Sequence, residues 1–278
     1  VTTREDVSEA NRSIFDGISA VSDYHKGFRS TGFLDAGERA ALLSVADAVR
    51  GQPALDLGVG AGRTTTLLRL LTDHYDAADY APRMVAEFHH NFPELPVRVA
   101  DARDLGDYPD DVYALTLFSN NAIDAVGRAE RPRVLRELAR VTRPGGYLIF
   151  STLHRGGPSY AERPLQLRRP TRRFSLRQIV IDNMRLLARP GRALRAIRSW
   201  RANRARIDDH GSWAVGPLAA HEFGLIVHFT TYEDLIDLLH STGLSDVVVF
   251  DESGLPIAAD ADAAGADSFT VVARVPAA

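Results

Sequence analysis

Cysteine is absent from this 278-residue chain. Its absence excludes a disulfide framework, thiolate catalysis and any Cys-ligated metal. Lysine occurs once, at Lys26, so arginine supplies nearly all the positive charge. No apolar run approaches the roughly 18 residues a spanning helix needs, and no membrane segment is expected. The stretch VTTREDVSEANRS lacks the basic-then-apolar pattern of a secretory signal, and the expectation is a cytoplasmic protein. Hydrophobic residues make up 45% of the chain, enough at this length to bury the core of one domain carrying an insertion or small satellite.

The formal net charge of -3 conceals a separation of charge. From Arg155 to Arg206 the chain holds 15 arginines against two acids, Glu162 and Asp182, while the remainder is acidic. Such a segment either solvates helices packed against an acidic body or meets an anionic ligand.

Along the chain, Ile14, Ile18, Val21 and Phe28 mark one or two amphipathic helices leading into the body, and a helix is expected over Glu38 to Val49. ALDLGVG reads as a buried strand running into a glycine loop, followed by the helix TTTLLRLL. Further strands follow at YDAADY, LPVRVA, DVYALTLFS and GYLIFST, with helices from Met84 to His90 and from Arg131 to Val141. Five strands alternating with helices predict a doubly wound α/β fold with a mostly parallel sheet. The alternation breaks after His154 and resumes at FGLIVHFT, a helix from Tyr232 to His240, and the strands DVVVFD and SFTVVARV. The expected organisation is N-terminal helices over 1–49 that help cover the site, a cofactor-binding half over 50–154, an Arg-rich helical cap over 155–221 and the rest of the core over 222–278. An excursion from the carboxyl end of a strand lies where open sheets bind ligands.

The segment Asp56-Leu57-Gly58-Val59-Gly60-Ala61-Gly62-Arg63 carries the densest chemistry. Glycines allow a tight turn and close approach of the backbone to a ligand, and the next helix offers unpaired amides. A dinucleotide fingerprint would place its third glycine at position 63, where Arg63 stands, which counts against an NAD-dependent oxidoreductase. Asp79 ends the second strand, where a carboxylate can accept from both hydroxyls of a ribose. Asp101, and less so Asp104, end the third strand near where a base would lie.

Together these segments resemble class I S-adenosylmethionine-dependent methyltransferases. ALDLGVGAGRTT resembles their first motif, DYAPRMV the second-strand motif, VADARDL the adenine-binding segment, and FSNNAIDAVGRAERPRVLRELARVTRPGGYLIFST the fourth and fifth strands. HFTTYEDLIDLLHSTGLSDVVVFD is similar to the last helix and sixth strand. The resemblance spans 50–154 and 222–275. It implies a seven-stranded sheet of order 3-2-1-4-5-7-6 with the last strand antiparallel, and S-adenosylmethionine as cofactor. Gly58, Gly60 and Gly62 would approach the methionine portion, with Asp56 organising the loop. Asp79 would hold the ribose, Met84 would touch the adenosyl portion, and Asp101 with Ala102 would read the adenine. Ser119 would line the cofactor near the methyl group, with Asn120 and Asn121 beside it. Tyr24 and Arg63 would close the methionine end or face the substrate.

Methyl transfer from a sulfonium is an in-line displacement that depends on holding donor and nucleophile in register. A hydroxyl acceptor profits from a general base, and His25, His154, His221, His228 and Asp124 are the candidates. No His/Asp/Glu group has metal-ligand spacing, and no metal is expected. The expected acceptor is a nitrogen or oxygen of a small molecule, a secondary metabolite or sugar-containing intermediate of the antibiotic-tailoring kind. It would carry an anionic group if Arg168, Arg169, Arg172 or Arg173 faces it. The chain would act as monomer or homodimer. Two other readings stand beside this one: a nucleic-acid methyltransferase, disfavoured by sparse aromatics in the Arg-rich segment, and a non-catalytic nucleoside-binding protein.

Overall fold

The computed structural model describes residues 7–16, 34–164, 190–258 and 263–277. Tyr24, His25 and Arg168 to Arg173 lie outside the described residues, as do the cap residues from Leu176 to Leu187 and residues 259–262.

Four strands open the sheet: β1 (Ala54–Leu57), β2 (Tyr75–Asp79), β3 (Val97–Val99) and β4 (Tyr113–Phe118). Then come β5 (Thr142–His154), β6 (Asp208–Asp209), β7 (Trp213–Pro217), β8 (Ile226–Thr230), β9 (Ser245–Asp251) and β10 (Ser268–Arg274). The main body runs β3-β2-β1-β4-β5-β10-β9, with β10 antiparallel to both β5 and β9. With β9 and β10 as its sixth and seventh strands, this is the expected order. β1 and β4 are buried along their whole length, because a central parallel strand is covered on both faces.

Alternation along the strands feeds two cores. Leu55, Leu57, Leu148, Phe150, Phe269 and Val271 point to one face and meet Val134, Leu135 and Leu138 of α5 (Arg131–Val141) and Leu235 and Leu239 of α8 (Tyr232–Ser241). Ala54, Leu115, Leu117, Ile149 and Val272 point to the other. There they meet α2 (Ala36–Val49), α3 (Thr65–Leu71) and α4 (Pro82–Asn91) through Leu42, Val45, Leu68 and Phe88. Asp35 caps α2 by accepting the Glu38 amide at 2.7 Å, and Thr231 caps α8 by accepting the Asp234 amide at 3.3 Å.

The sheet departs from the expectation beyond β5. β5 pairs with β4 only as far as Phe118↔Phe150, then continues to His154. β10 holds one edge of Leu153, so β8 takes the edge that β4 has vacated, through Leu153↔Phe229 and His154↔Thr230. β7 and β6 extend β8 antiparallel. The insertion after β5 is therefore not purely helical. Its described part holds the single turn α6 (Pro158–Ala161), α7 (Pro190–Asn203) and the β6–β7 hairpin. Trp213 and Val215 pair with β8 because WAVGP supplies β-forming residues after a Gly211 turn with φ of 80°. The N-terminal helix α1 (Val7–Phe15) docks on this lobe. Its Asn11 donates to the carbonyls of Ala125 (3.2 Å) and Ile226 (2.6 Å) and accepts the Ile226 amide.

A buried ion pair ties the two levels together. Asp124 Oδ1 accepts from Arg131 at 2.8 Å and from Thr152 Oγ1 at 2.6 Å, and Oδ2 accepts the Leu153 amide at 2.7 Å. Burial pushes the Asp124 carboxyl up to about 6 against the pull of Arg131 and Thr152. Replacing Arg131 by Met leaves that carboxylate unmatched, and urea unfolding should show a loss of about 3–5 kcal/mol. A loss below about 1 kcal/mol would contradict this role for the pair.

Candidate active site: a glycine loop opening into an apolar chamber

A cavity of about 540 Å³ lies at the carboxyl ends of β1, β2, β4 and β5, where doubly wound sheets bind ligands. One end is the glycine loop. Gly58 and Gly60, with φ of 62° and 54°, line it and adopt the left-handed backbone that side chains disfavour. A Cβ on Gly58 would sit 3.2 Å from the Phe118 ring. Gly62 is off the described wall: its φ is 95°, and a Cβ there would lie 2.3 Å from the Phe92 ring. The Phe92 ring, from the residue that follows α4, demands a glycine there.

Asp79 anchors the loop from the second strand. Its Oδ2 accepts the Gly60 amide at 2.9 Å and its Oδ1 the Ala81 amide at 2.9 Å. Burial pushes the carboxyl up to about 6, and these backbone donors hold it from rising further. A carboxylate has about four acceptor sites, so Asp79, which lines the cavity, keeps capacity for a diol. Asp56 lies behind the wall, accepting from Thr64 Oγ1 at 2.5 Å and Tyr75 OH at 3.0 Å, and burial raises it to about 7. Its work is to brace the loop. Met84 is buried on the wall beside Ala81.

Asp101 and Ala102 also line this end. Burial would raise the Asp101 carboxyl, but Arg103 outweighs it, donating from Nη2 at 2.8 Å and from its amide at 2.9 Å, and holds it below the usual range. Ser119, Asn120 and Asn121 follow β4, and both asparagines are left-handed, with φ of 56° and 57°. Asparagine tolerates that conformation better than bulkier residues. Asn121 Oδ1 is buried without a hydrogen-bond partner among the described residues.

Arg63 is on the wall with its charge matched. It donates to both oxygens of Glu38, at 2.6 and 2.9 Å, and to Ser119 Oγ at 3.2 Å. Glu38 Oε1 also accepts the Asn120 amide at 2.7 Å, so one buried carboxylate joins the glycine loop to the turn after β4. Sequence reasoning took Glu38 only as the start of a helix. The Asp35-x-x-Glu38 spacing of a capping box was the available signal, and here the glutamate reaches sideways instead of back.

Of the proposed bases, only His221 is on the described wall, edge-on to Phe15 at 5.9 Å. The other described candidates are elsewhere, which corrects their expected role. Asp124 is consumed by the Arg131 pair. His154 Nδ1 contacts the Ala266 carbonyl at 2.9 Å, and its ring rests on Phe269. His228 is buried and stacked on Trp213, and burial with Arg131 and Arg128 nearby drives its pKa far down. Phe15, which sequence reasoning passed over, closes the cavity by packing on Tyr80 at 6.0 Å. Several described arginines of the charged segment meet acids: Arg192 and Arg195 hold Glu222, and Arg155 holds Asp209.

Glycine loop, strand-end acid and crevice lie together in one doubly wound α/β domain. Residues 55–150 match the family model described as a methyltransferase domain. Malonyl-[acyl-carrier protein] O-methyltransferase of Halorhodospira halophila is 36% identical over 154 residues, 51% of this chain and 50% of that protein. Demethylmenaquinone methyltransferase of Mycolicibacterium paratuberculosis is 34% identical over 143 residues, 50% of this chain and 59% of that protein. The chain thus spans about half the length of the curated relatives it matches. Among solved structures, the 1,6-didemethyltoxoflavin-N1-methyltransferase of Burkholderia thailandensis has a TM-score of 0.55 at 15% identity, covering 96% of this chain and 88% of that one. An amino pentose methyltransferase of Micromonospora echinaspora has a TM-score of 0.52 at 17% identity, covering 91% and 96%. These likenesses carry the fold. No described helix is long and apolar enough to cross a membrane.

Gly62→Ala should lower the thermal midpoint by several degrees, because its Cβ collides with the Phe92 ring and its backbone is left-handed. Phe92→Ala in the same chain should relieve part of the collision. A midpoint unchanged in Gly62→Ala would contradict the packing role.

Proposed function

We propose that this protein transfers a methyl group from S-adenosylmethionine to a nitrogen or oxygen of a small-molecule acceptor, a secondary metabolite or sugar-containing intermediate. The observation that carries this reading is continuity: one cavity joins the Asp79 and glycine-loop wall to a chamber lined by Leu153, Leu218, Leu225 and Val227. A cofactor and an acceptor of drug size fit a crevice with such a polar end and an apolar end. The relatives reported above act, by their names, on malonyl-acyl-carrier protein, demethylmenaquinone, a toxoflavin precursor and an amino pentose, which favours small or carrier-borne acceptors of the tailoring kind.

The residues fit the cofactor. Bound S-adenosylmethionine supplies an electrophilic sulfonium methyl. Asp79 accepts from the two ribose hydroxyls, and the Gly58 and Gly60 backbone lets the methionine portion close in. Met84 packs against the adenosyl portion, and Asp101 with Ala102 borders the adenine. Arg63, pre-oriented by Glu38, borders the methionine end. Ser119, Asn120 and Asn121 line the region of the transferred group.

The chain's own contribution is alignment and exclusion of water. An amine acceptor that arrives unprotonated needs no base. For a hydroxyl acceptor, His221 is the described candidate base that lines the wall. Residues 1–49 and 155–221 act as cover over the core halves 50–154 and 222–278. The reading places the enzyme in the cytoplasm, as monomer or homodimer.

Calorimetric titration with S-adenosylhomocysteine should give binding to wild type and at least about tenfold weaker binding to Asp79→Ala, through loss of charge-assisted hydrogen bonds. Hydroxyl donors favour the ionised carboxylate. Affinity should therefore fall as pH drops through about 6, where Asp79 takes up its proton. Asp79→Asn should lack that step. Absence of binding to wild type would overturn the proposal.

A further inference from the structure

We infer that the acceptor is an elongated, largely apolar molecule bearing a protonated amine, and that Asp267 holds this amine at the end of the cavity remote from the glycine loop. The inference rests on the methyl-transfer reading of the same cavity and adds the acceptor's charge and shape.

Asp267 lies on the cavity wall in the turn that leads into β10. Its Oδ1 accepts the Ser159 amide at 2.8 Å and its Oδ2 accepts Ser159 Oγ at 2.7 Å. Both donors are neutral. They fix the carboxylate plane and leave acceptor sites on each oxygen. Among the described residues no cation forms an ion pair with Asp267. Each described cation on the wall is matched elsewhere: Arg63 by Glu38 and Arg103 by Asp101. The described wall therefore holds unmatched carboxylates, Asp79 and Asp267, and no unmatched guanidinium. Beside Asp267 the wall carries Ser159 and Ser268, and the same chamber is lined by Phe15, Val126, Leu153, Leu218, Leu225 and Val227. Such walls strengthen the attraction of a carboxylate for a cation over its value in water.

Register sets the distance. Phe118, the last residue of β4, pairs with Phe150, and Ser268 pairs with Leu153. At about 3.3 Å per residue, Asp267 stands roughly 10 Å or more beyond the end of β4, where Ser119 and Asn121 border the reacting group. The charged amine is thus an anchor and not the atom methylated. A protonated amine has no lone pair to attack with, so the two ends of the acceptor have separate tasks.

The test uses the full chain saturated with S-adenosylhomocysteine and three probes of equal length: n-octylamine, n-octanol and n-octanoate, titrated calorimetrically at neutral pH. The expected order is amine, then alcohol, then carboxylate, with amine over alcohol by at least about tenfold, the effect of one charge-assisted hydrogen bond. In Asp267→Asn the amine should bind no better than the alcohol, whereas Ser159→Ala, which keeps the carboxylate, should retain the preference. Octanoate binding best, or an amine preference that survives Asp267→Asn, would overturn the inference. Should Asp267→Asn fail to fold, the ranking of the three probes on wild type decides alone. Failure of wild type to bind S-adenosylhomocysteine would instead remove the methyl-transfer reading, a result distinct from a wrong probe order.

Discussion

Two amide hydrogen bonds accepted by Asp79 set the geometry on which the site depends. One comes from Gly60 in the loop after β1, the other from Ala81 at the start of α4. A single buried carboxylate thereby fixes two backbone segments that leave neighbouring parallel strands. Both loop glycines on the wall need positive φ, and the loop has few side chains of its own with which to hold that shape. Asp56 braces the same loop from behind through Thr64. Burying two acids this close to the sheet is costly, and their raised pKa values express that cost. Such expense is concentrated where ligands bind.

The acceptor side has a different origin. β5 outruns β4, and its last residues create a second level above the sheet where β8 and the β6–β7 hairpin attach. Asp124 and Arg131 close the gap below that level, and Asn11 pins α1 to its far edge. The chamber between the levels is apolar because its walls are the inward faces of these added elements. One molecule can therefore present a polar cleft to a nucleoside and an apolar pocket to its partner without a separate domain.

Most of the core was legible in the sequence, since buried parallel strands read as apolar runs and helices such as α5 repeat Val134, Leu135, Leu138 and Val141 on one side. The glycine loop, Asp79 and Asp101 stood out by their places after strands, and Met84 and Ser119 through the family resemblance; Gly58, Gly60 and these four side chains line one cavity. Glu38 and Asn11 were not: each acts on a segment distant in the chain, and pairings such as Asn11 with Ile226 leave no local pattern. The histidines misled for a related reason. His154 and His228 sit at strand positions whose side chains turn to ring packing against Phe269 and Trp213, and period-two alternation does not say which face meets a cavity. The β6–β7 hairpin was hidden by the arginine-rich composition before it, which reads as helix.

The central claim is that Asp79 and the loop it pins receive the nucleoside of S-adenosylmethionine. The most direct measurement is a crystal structure of the full chain grown with S-adenosylhomocysteine. The account predicts ribose hydroxyls within hydrogen-bond distance of the Asp79 carboxylate, adenine beside Asp101 and Ala102, and the homocysteine sulfur pointing toward Ser119 and the apolar chamber. Ligand bound elsewhere, or a ribose turned away from Asp79, would contradict it.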